Sequence, residues 1–169
     1  MAGSADPVVP VRVCVVLLNR GELCLIRRRR AEGEQYSLPG GLLDPGEGVA
    51  AGLARELGEE LGPDIAGLSA APRLRWVQEQ ETSRPGGGGL FRRRHLVHVL
   101  GVSDRVRALV AATERDAEDA NQVVWVPLAE AAGLHLYPAV GPVLAGPLPR
   151  GDAPPVRLPR MDDLSYRWR

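Results

Sequence analysis

Glu56, Glu59 and Glu60 stand at i, i+3 and i+4, the spacing that gathers side chains on one side of an α-helix. Like charges so placed repel, at about 0.2–0.5 kcal/mol per pair. Only Arg55, four residues before Glu59, offers local compensation. A rigid cluster of hard oxygen donors is what a Mg²⁺ ion that keeps several waters can use. Alone, this pattern is more often a solvated acidic face. Three neighbours favour the metal-binding reading. Glu47 lies just ahead in a Gly/Pro-rich loop, Gly40-Gly41 lets the backbone approach a ligand and present a carbonyl, and the Arg55-Glu56 pair opens the acidic patch.

These residues need elements to hold them. Val49, Leu53, Leu57 and Leu61 recur every four residues, one apolar stripe of a helix spanning Gly48–Leu61. Gly52 and Gly58 each weaken such a helix by up to about 1 kcal/mol relative to Ala, which suggests close approach by a neighbour. Gly62-Pro63 ends it. Upstream, the nearly continuous apolar run Val11–Leu18 has the pattern of a strand buried on both faces. Asn19-Arg20-Gly21-Glu22 is turn chemistry, and Leu23–Ile26 completes a hairpin. Arg27–Arg30 and Ala31–Gln35 read as a loop. Leu74–Glu81 and Leu90–Val102 are predicted strands around a glycine-rich tip, and Val123–Val126 is another. Short helices are expected over Leu128–Ala132 and Ala139–Ala145. Strands on both sides of one marked helix predict an α/β domain with a mixed sheet covered by helices. The division expected is a lead-in over residues 1–9, a domain over 10–146, and a Pro/Arg-rich extended tail over 147–169.

The segment Gly40–Gly62 resembles the Nudix (MutT-like) hydrolase signature. Gly41, five residues, Glu47, seven residues, Arg55-Glu56-Leu57, one residue, Glu59-Glu60, one residue and Gly62 match its glycines, its charged positions and its internal aliphatic one. Tyr36-Ser37-Leu38-Pro39-Gly40 and Val124-Trp125-Val126-Pro127-Leu128 are also similar to the family. One departure is Pro63, where the signature closes with an aliphatic residue. The resemblance implies the Nudix α/β/α fold, a mixed β-sheet sandwiched between α-helices, with a loop-helix-loop that holds metal against a pyrophosphate. It implies Mg²⁺, with Mn²⁺ as substitute, bound by Glu56, Glu60 and the Gly40 carbonyl, with Glu59 serving a second ion or the water shell. Arg55 and Glu47 would orient these carboxylates, and Gly41 and Gly62 would shape the motif. The general base would be a signature glutamate or a downstream acid, Glu118 or Asp119. The activity implied is hydrolysis of a phosphoanhydride in a nucleoside-diphosphate-like compound: a nucleoside triphosphate, an oxidised nucleotide, ADP-ribose or a nucleotide sugar. A non-catalytic nucleotide-sensing module on the same fold is the alternative. Lost signature carboxylates would mark it, and every one is present.

Other features carry less. Arg27 and Arg28 could reach substrate phosphates, since guanidinium matches phosphate oxygens in bidentate fashion. Tyr36 and Trp76 could stack on a base, although each is as easily a core or rim aromatic. His95 and His98 are three apart in a strand and so face opposite ways, which argues against a shared metal. Cys14 and Cys24 sit in apolar runs and read as buried free thiols. A net charge of +0 argues against a general nucleic-acid or membrane-surface binder and for a small-molecule substrate. No window approaches a membrane span, so the expected location is the cytoplasm. The terminus Tyr166-Arg167-Trp168-Arg169 carries aromatics worth burying, on its own domain or on a second subunit of a homodimer.

Overall fold

A computed structural model of the chain describes residues 8–62, 71–84, 86–113 and 121–168. The elements run β1 (Val11–Asn19), β2 (Glu22–Arg30), β3 (Gly33–Ser37), β4 (Gly40–Leu42), α1 (Val49–Leu61), β5 (Arg73–Ser83) and β6 (Leu90–Gly101). They continue with α2 (Asp104–Leu109), β7 (Gln122–Pro127), α3 (Leu128–Ala131), β8 (Leu136–Tyr137), α4 (Gly141–Leu144) and β9 (Val156–Arg157). The strands form one mixed sheet in the order β8-β3-β2-β1-β6-β5-β9, with β4 attached to β1 and β7 to β2.

β1 is the axis of this sheet. It runs parallel to β6 along one edge and divides its other edge between β2 and β4. Its alternating side chains feed both faces, as a strand with a period of two must. Val13, Val15 and Leu17 pack with Leu53, Leu57 and Leu61 of α1, whereas Cys14 and Val16 pack with Trp76, Val97, Leu136 and the α3–α4 region. Each Leu or Val so buried contributes about 1.5–3 kcal/mol. The helix stripe is thus the one read from sequence, except that Val49 at its start is half exposed. The β1–β2 turn is also as expected, with Arg20 and Gly21 at φ +48° and +79°, the left-handed pair that tight hairpins favour.

Three expectations need correction. Arg27–Arg30 is not a loop: it belongs to β2 and pairs with β3, Arg27 opposite Tyr36 and Arg30 opposite Gly33. Gly33, at φ +128°, lets the chain reverse over two residues, so polar side chains stay on the strand surface instead of ending it. Trp76 is not a substrate contact. It is 3% exposed and lies in the core, because its position on β5 faces inward beside Val97. The segment after Gly146 is not simply extended. β9 pairs in parallel with β5, Met161 is fully buried, and Tyr166 packs on Tyr137.

Among the described residues, no helix is long and apolar enough to cross a membrane.

Candidate active site

The loop from Leu38 to Leu43 is strapped onto β1 by backbone hydrogen bonds. Val15 N–H donates to the Pro39 carbonyl at 3.0 Å, and Leu43 N–H donates to Val11 at 2.9 Å. Gly40 sits at φ +142°, a conformation that L side chains rarely adopt. A Cβ there would come within 2.0 Å of the Val13 carbonyl oxygen. Only glycine fits against β1 at that point.

α1 packs on the face of β1 below this loop and brings its carboxylates to the Gly40-Gly41 peptide. Glu60 is 5% exposed, and its Oε2 accepts the Gly40 N–H at 2.7 Å. A buried carboxylate requires such a partner. Glu56 lies against Gly41, where a Cβ would meet its carboxylate carbon and Oε2 at 2.3 Å. Gly41 is therefore a glycine because the Glu56 head group occupies the side-chain space. Glu59, one helical turn from Glu56, remains nearly half exposed, with 46% of its side-chain surface in solvent.

Arg55 organises the acidic side chains. It donates from Nε and Nη2 to the two oxygens of Glu47 at 2.9 Å each, and from Nη1 to Glu56 at 2.8 Å and Glu59 at 3.3 Å. Nη2 also reaches the Leu42 carbonyl at 3.0 Å. Glu47 accepts the Asp44 N–H at 2.9 Å as well. The Arg55 hydrogen bonds, with that amide, hold the Glu47 carboxyl down at about 2, while its carboxylate partners raise Arg55 above the ordinary arginine range. Both stay ionised throughout the neutral range. Gly52 serves the same assembly: a Cβ would press on Leu43 at 2.2 Å and on Glu47 Oε2 at 3.0 Å. At the far end Gly62, at φ +125°, closes α1 by donating to Gly58 at 3.1 Å.

Seven of the residues singled out from sequence therefore come together: Gly40, Gly41, Glu47, Arg55, Glu56, Glu59 and Glu60. Gly62 terminates the helix that carries them. Arg27, Arg28 and Tyr36 form a second group on the β2–β3 ladder. Tyr36 donates to Glu34 at 2.7 Å, Arg27 pairs with Glu34 at 3.9 Å and bonds Gln122, and Arg28 donates to Ser37 at 2.8 Å. Glu118 and Asp119 lie outside the described residues.

Arg12 escaped the sequence reading. It is 6% exposed, and its Nη2 donates to the carbonyls of Leu38 at 2.8 Å and Gly40 at 3.2 Å. A charge within the apolar run of β1, on a strand buried on both faces, was the available signal.

His95 and His98 are buried and separately engaged, His95 beside Gln80 at 2.8 Å and His98 beside the Cys14 carbonyl at 3.2 Å. Both cysteines are free, and burial pushes their thiols up, Cys14 to about 11 and Cys24 to about 12. Neither is a ready nucleophile.

As arranged, the described residues hold no group of three or more His, Cys, Asp or Glu side chains set to bind a metal ion. The donor chemistry at the Gly40-Gly41 peptide nevertheless fits a hard divalent cation. Glu56, Glu60 and the Gly40 carbonyl offer oxygen only, and the missing Gly41 side chain leaves the carboxylate space clear.

Comparison with known proteins agrees with this geometry. The NUDIX domain model matches residues 8–145. A Mycobacterium tuberculosis protein provisionally named 8-oxo-dGTP diphosphatase 2 is 35% identical over 117 residues, covering 69% of this chain and 75% of its own. Among solved structures, the mutator MutT protein of Bacillus halodurans aligns with a TM-score of 0.60 at 13% identity, covering 82% of this chain and 81% of its own. The MutT protein of Methanosarcina mazei Go1 aligns at 0.56 and 21% identity, covering 83% and 94%. At these identities the structural likeness speaks for the fold.

Proposed function

The chain belongs to the NUDIX family of hydrolases acting on phosphoanhydride bonds, and from that premise we propose that it splits the pyrophosphate link of a small nucleotide with the help of Mg²⁺, for which Mn²⁺ can substitute. The observation that carries this reading is the convergence of Glu56, Glu60 and the Gly40-Gly41 peptide, with Arg55 bridging Glu47 and Glu56.

Glu56, Glu60 and the Gly40 carbonyl would hold the cation. Once bound, it would polarise phosphoryl oxygens, offset developing charge and lower the pKa of a water. The chain's own residues have distinct tasks. Arg55 fixes the Glu56 head group, and Glu47 fixes Arg55, so the carboxylate geometry is set before substrate arrives. Glu60 anchors the glycine loop through the Gly40 N–H. A carboxylate takes the proton of the attacking water while the nucleoside phosphate departs. Glu59 suits that role better than Glu60, being open to water and not tied to the loop backbone; Glu118 or Asp119 is the alternative base.

The Mycobacterium tuberculosis relative bears a name for 8-oxo-dGTP hydrolysis, which favours an ordinary or oxidised nucleoside triphosphate over ADP-ribose or a nucleotide sugar. The substrate is a small molecule, and the neutral net charge supports no general nucleic-acid role. The C-terminal aromatics Tyr166 and Trp168 pack with Tyr137 of the same chain, and a homodimer is a matter for mass in solution. Two buried free thiols agree with the cytoplasm as its location.

The test is product release from a panel of nucleotides with Mg²⁺, Mn²⁺ or EDTA. Metal-dependent turnover of one class is the expected result. Nucleotide binding without turnover across the panel would instead favour a sensing module.

A further inference from the structure

One face of the sheet carries an unusual charge arrangement. Arg92 and Arg94 on β6 pair with Glu81 at 2.9 Å and Glu79 at 2.6 Å. Arg93 between them points to the opposite face, because side chains alternate along a strand. There its guanidinium lies 4.5 Å from the centre of the Phe91 ring, and that of Arg84 lies 5.5 Å from the same ring. Arg12 adds a third charge, 5.3 Å from the Tyr137 ring, and its buried Nη1 has no hydrogen-bond partner among the described residues. Among the described residues, none of these three arginines pairs with a carboxylate. Burial pushes Arg93 down from the usual arginine range; Tyr137 opposes this, and Arg12 and Arg84 add to it.

Beside Arg84 and Arg93 lies an open surface depression of about 440 Å³ lined by these two, Phe91, Tyr137 and Trp168; Arg12 is not in its lining and meets it through the Tyr137 ring. Trp168 is held in place. Its indole N–H donates to Thr82 at 3.2 Å, and its ring meets Phe91 edge-on at 5.3 Å and Tyr166 at 5.4 Å. This wall comes from beyond residue 145, where the family domain ends.

We propose that this open depression is a phosphate-binding site, completed by the C-terminal segment and distinct from the carboxylate cluster. Arg93 is partly buried and has no carboxylate partner among the described residues, an unfavourable state that an anion with several oxygens relieves. Guanidinium forks match phosphate oxygens in pairs. The aromatic faces beneath Arg84 and Arg93 favour the cations and hold their planes in place. The phosphate is either a group of the substrate remote from the bond cleaved or a free phosphate. Arg12 lies between the two sites, donating to the Gly40 carbonyl and resting against the Tyr137 ring that lines the depression. The proposal does not rest on hydrolysis.

The test is calorimetric titration of the full chain with inorganic pyrophosphate in EDTA, for the wild type, Glu56→Gln, Arg93→Gln and Arg84→Gln. Arg84 is exposed at a strand end, so its substitution leaves the fold intact. One saturable site with a Kd below about 1 mM is expected in the wild type and Glu56→Gln, weakened at least tenfold in both arginine variants. No saturation, or equal binding in the arginine variants, would overturn the proposal. The source is read from turnover. Competition by pyrophosphate that disappears in Arg93→Gln assigns the site to substrate phosphate, and a change without competition assigns it to a separate ligand. Turnover without pyrophosphate binding removes this site alone; pyrophosphate binding without turnover removes only the hydrolase reading.

Discussion

Around the glycine loop and α1 one guanidinium, Arg55, answers four carboxylates, those of Asp44, Glu47, Glu56 and Glu59, at 2.8–3.7 Å. Beneath the C-terminal segment three guanidiniums, those of Arg12, Arg84 and Arg93, gather around aromatic rings with no carboxylate among their described partners. The first region has surplus negative charge and calls for cations. The second has surplus positive charge and calls for anions. A metal-bound phosphate compound satisfies both, and Arg12, touching Gly40 and Tyr137, lies where they meet.

The largest separation of the two regions should come from Gly41→Ala. The new Cβ would fall 2.3 Å from the Glu56 carboxylate, which is the free end of a flexible side chain and can swing aside. Turnover is expected to fall about a hundredfold (about 2.7 kcal/mol), while the melting temperature and pyrophosphate binding in EDTA stay near wild type. Steady-state kinetics beside a thermal melt checks this. A variant with normal turnover would show that the Glu56 position does not matter.

Truncation after Gly146 attacks the other region. It removes fully buried Met161, the Tyr166 and Trp168 rings and the β9 pairing. Losing one buried large side chain typically costs about 2–5 kcal/mol, so chemical denaturation should show a loss of at least about 3 kcal/mol. Unchanged stability would mean that the segment only rests on the domain.

The signature was legible because its chemistry is local: Glu47, Arg55, Glu56, Glu59 and Glu60 lie on one loop and one helix, and their spacing encodes their geometry. The β1–β2 hairpin was legible for the same reason. The second region was not. It joins β1, β5, β6, Tyr137 and Trp168 across almost the whole chain, and no local period reports such a meeting. The tail's Pro and Arg content suggested extended chain, yet a few anchors, Met161 and Tyr166 above all, dock it. Trp76 was not legible by strand alternation, because an irregularity between Leu74 and Trp76 leaves the neighbours Arg75 and Trp76 both buried. Arg27–Arg30 misled because four charges in a row resemble a solvated loop, although a strand edge accommodates them.

Acid should act more gently, and on the arginine region first. His95 is fully buried, faces Gln80, Tyr137, Arg12 and Arg93, and is held well below the usual histidine range by burial and those two cations. The unfolded chain therefore takes up that proton first, and stability should decline as pH falls below about 6.5. Glu47 is depressed to about 2 by Arg55, so its contribution is complete above about pH 4.5 and fades only toward pH 2. Melting temperatures recorded from pH 7.5 to 4.5 should fall steadily, and a flat profile would contradict a neutral buried His95.

The most direct measurement is metal-dependent hydrolysis by Glu56→Gln, on the nucleotide class that the wild type turns over best, with circular dichroism to verify the fold. The carboxylate geometry around Gly40-Gly41 leads to a loss of at least about a hundredfold in kcat in a folded protein. Near-normal turnover by folded Glu56→Gln would contradict the assignment of that carboxylate to metal binding.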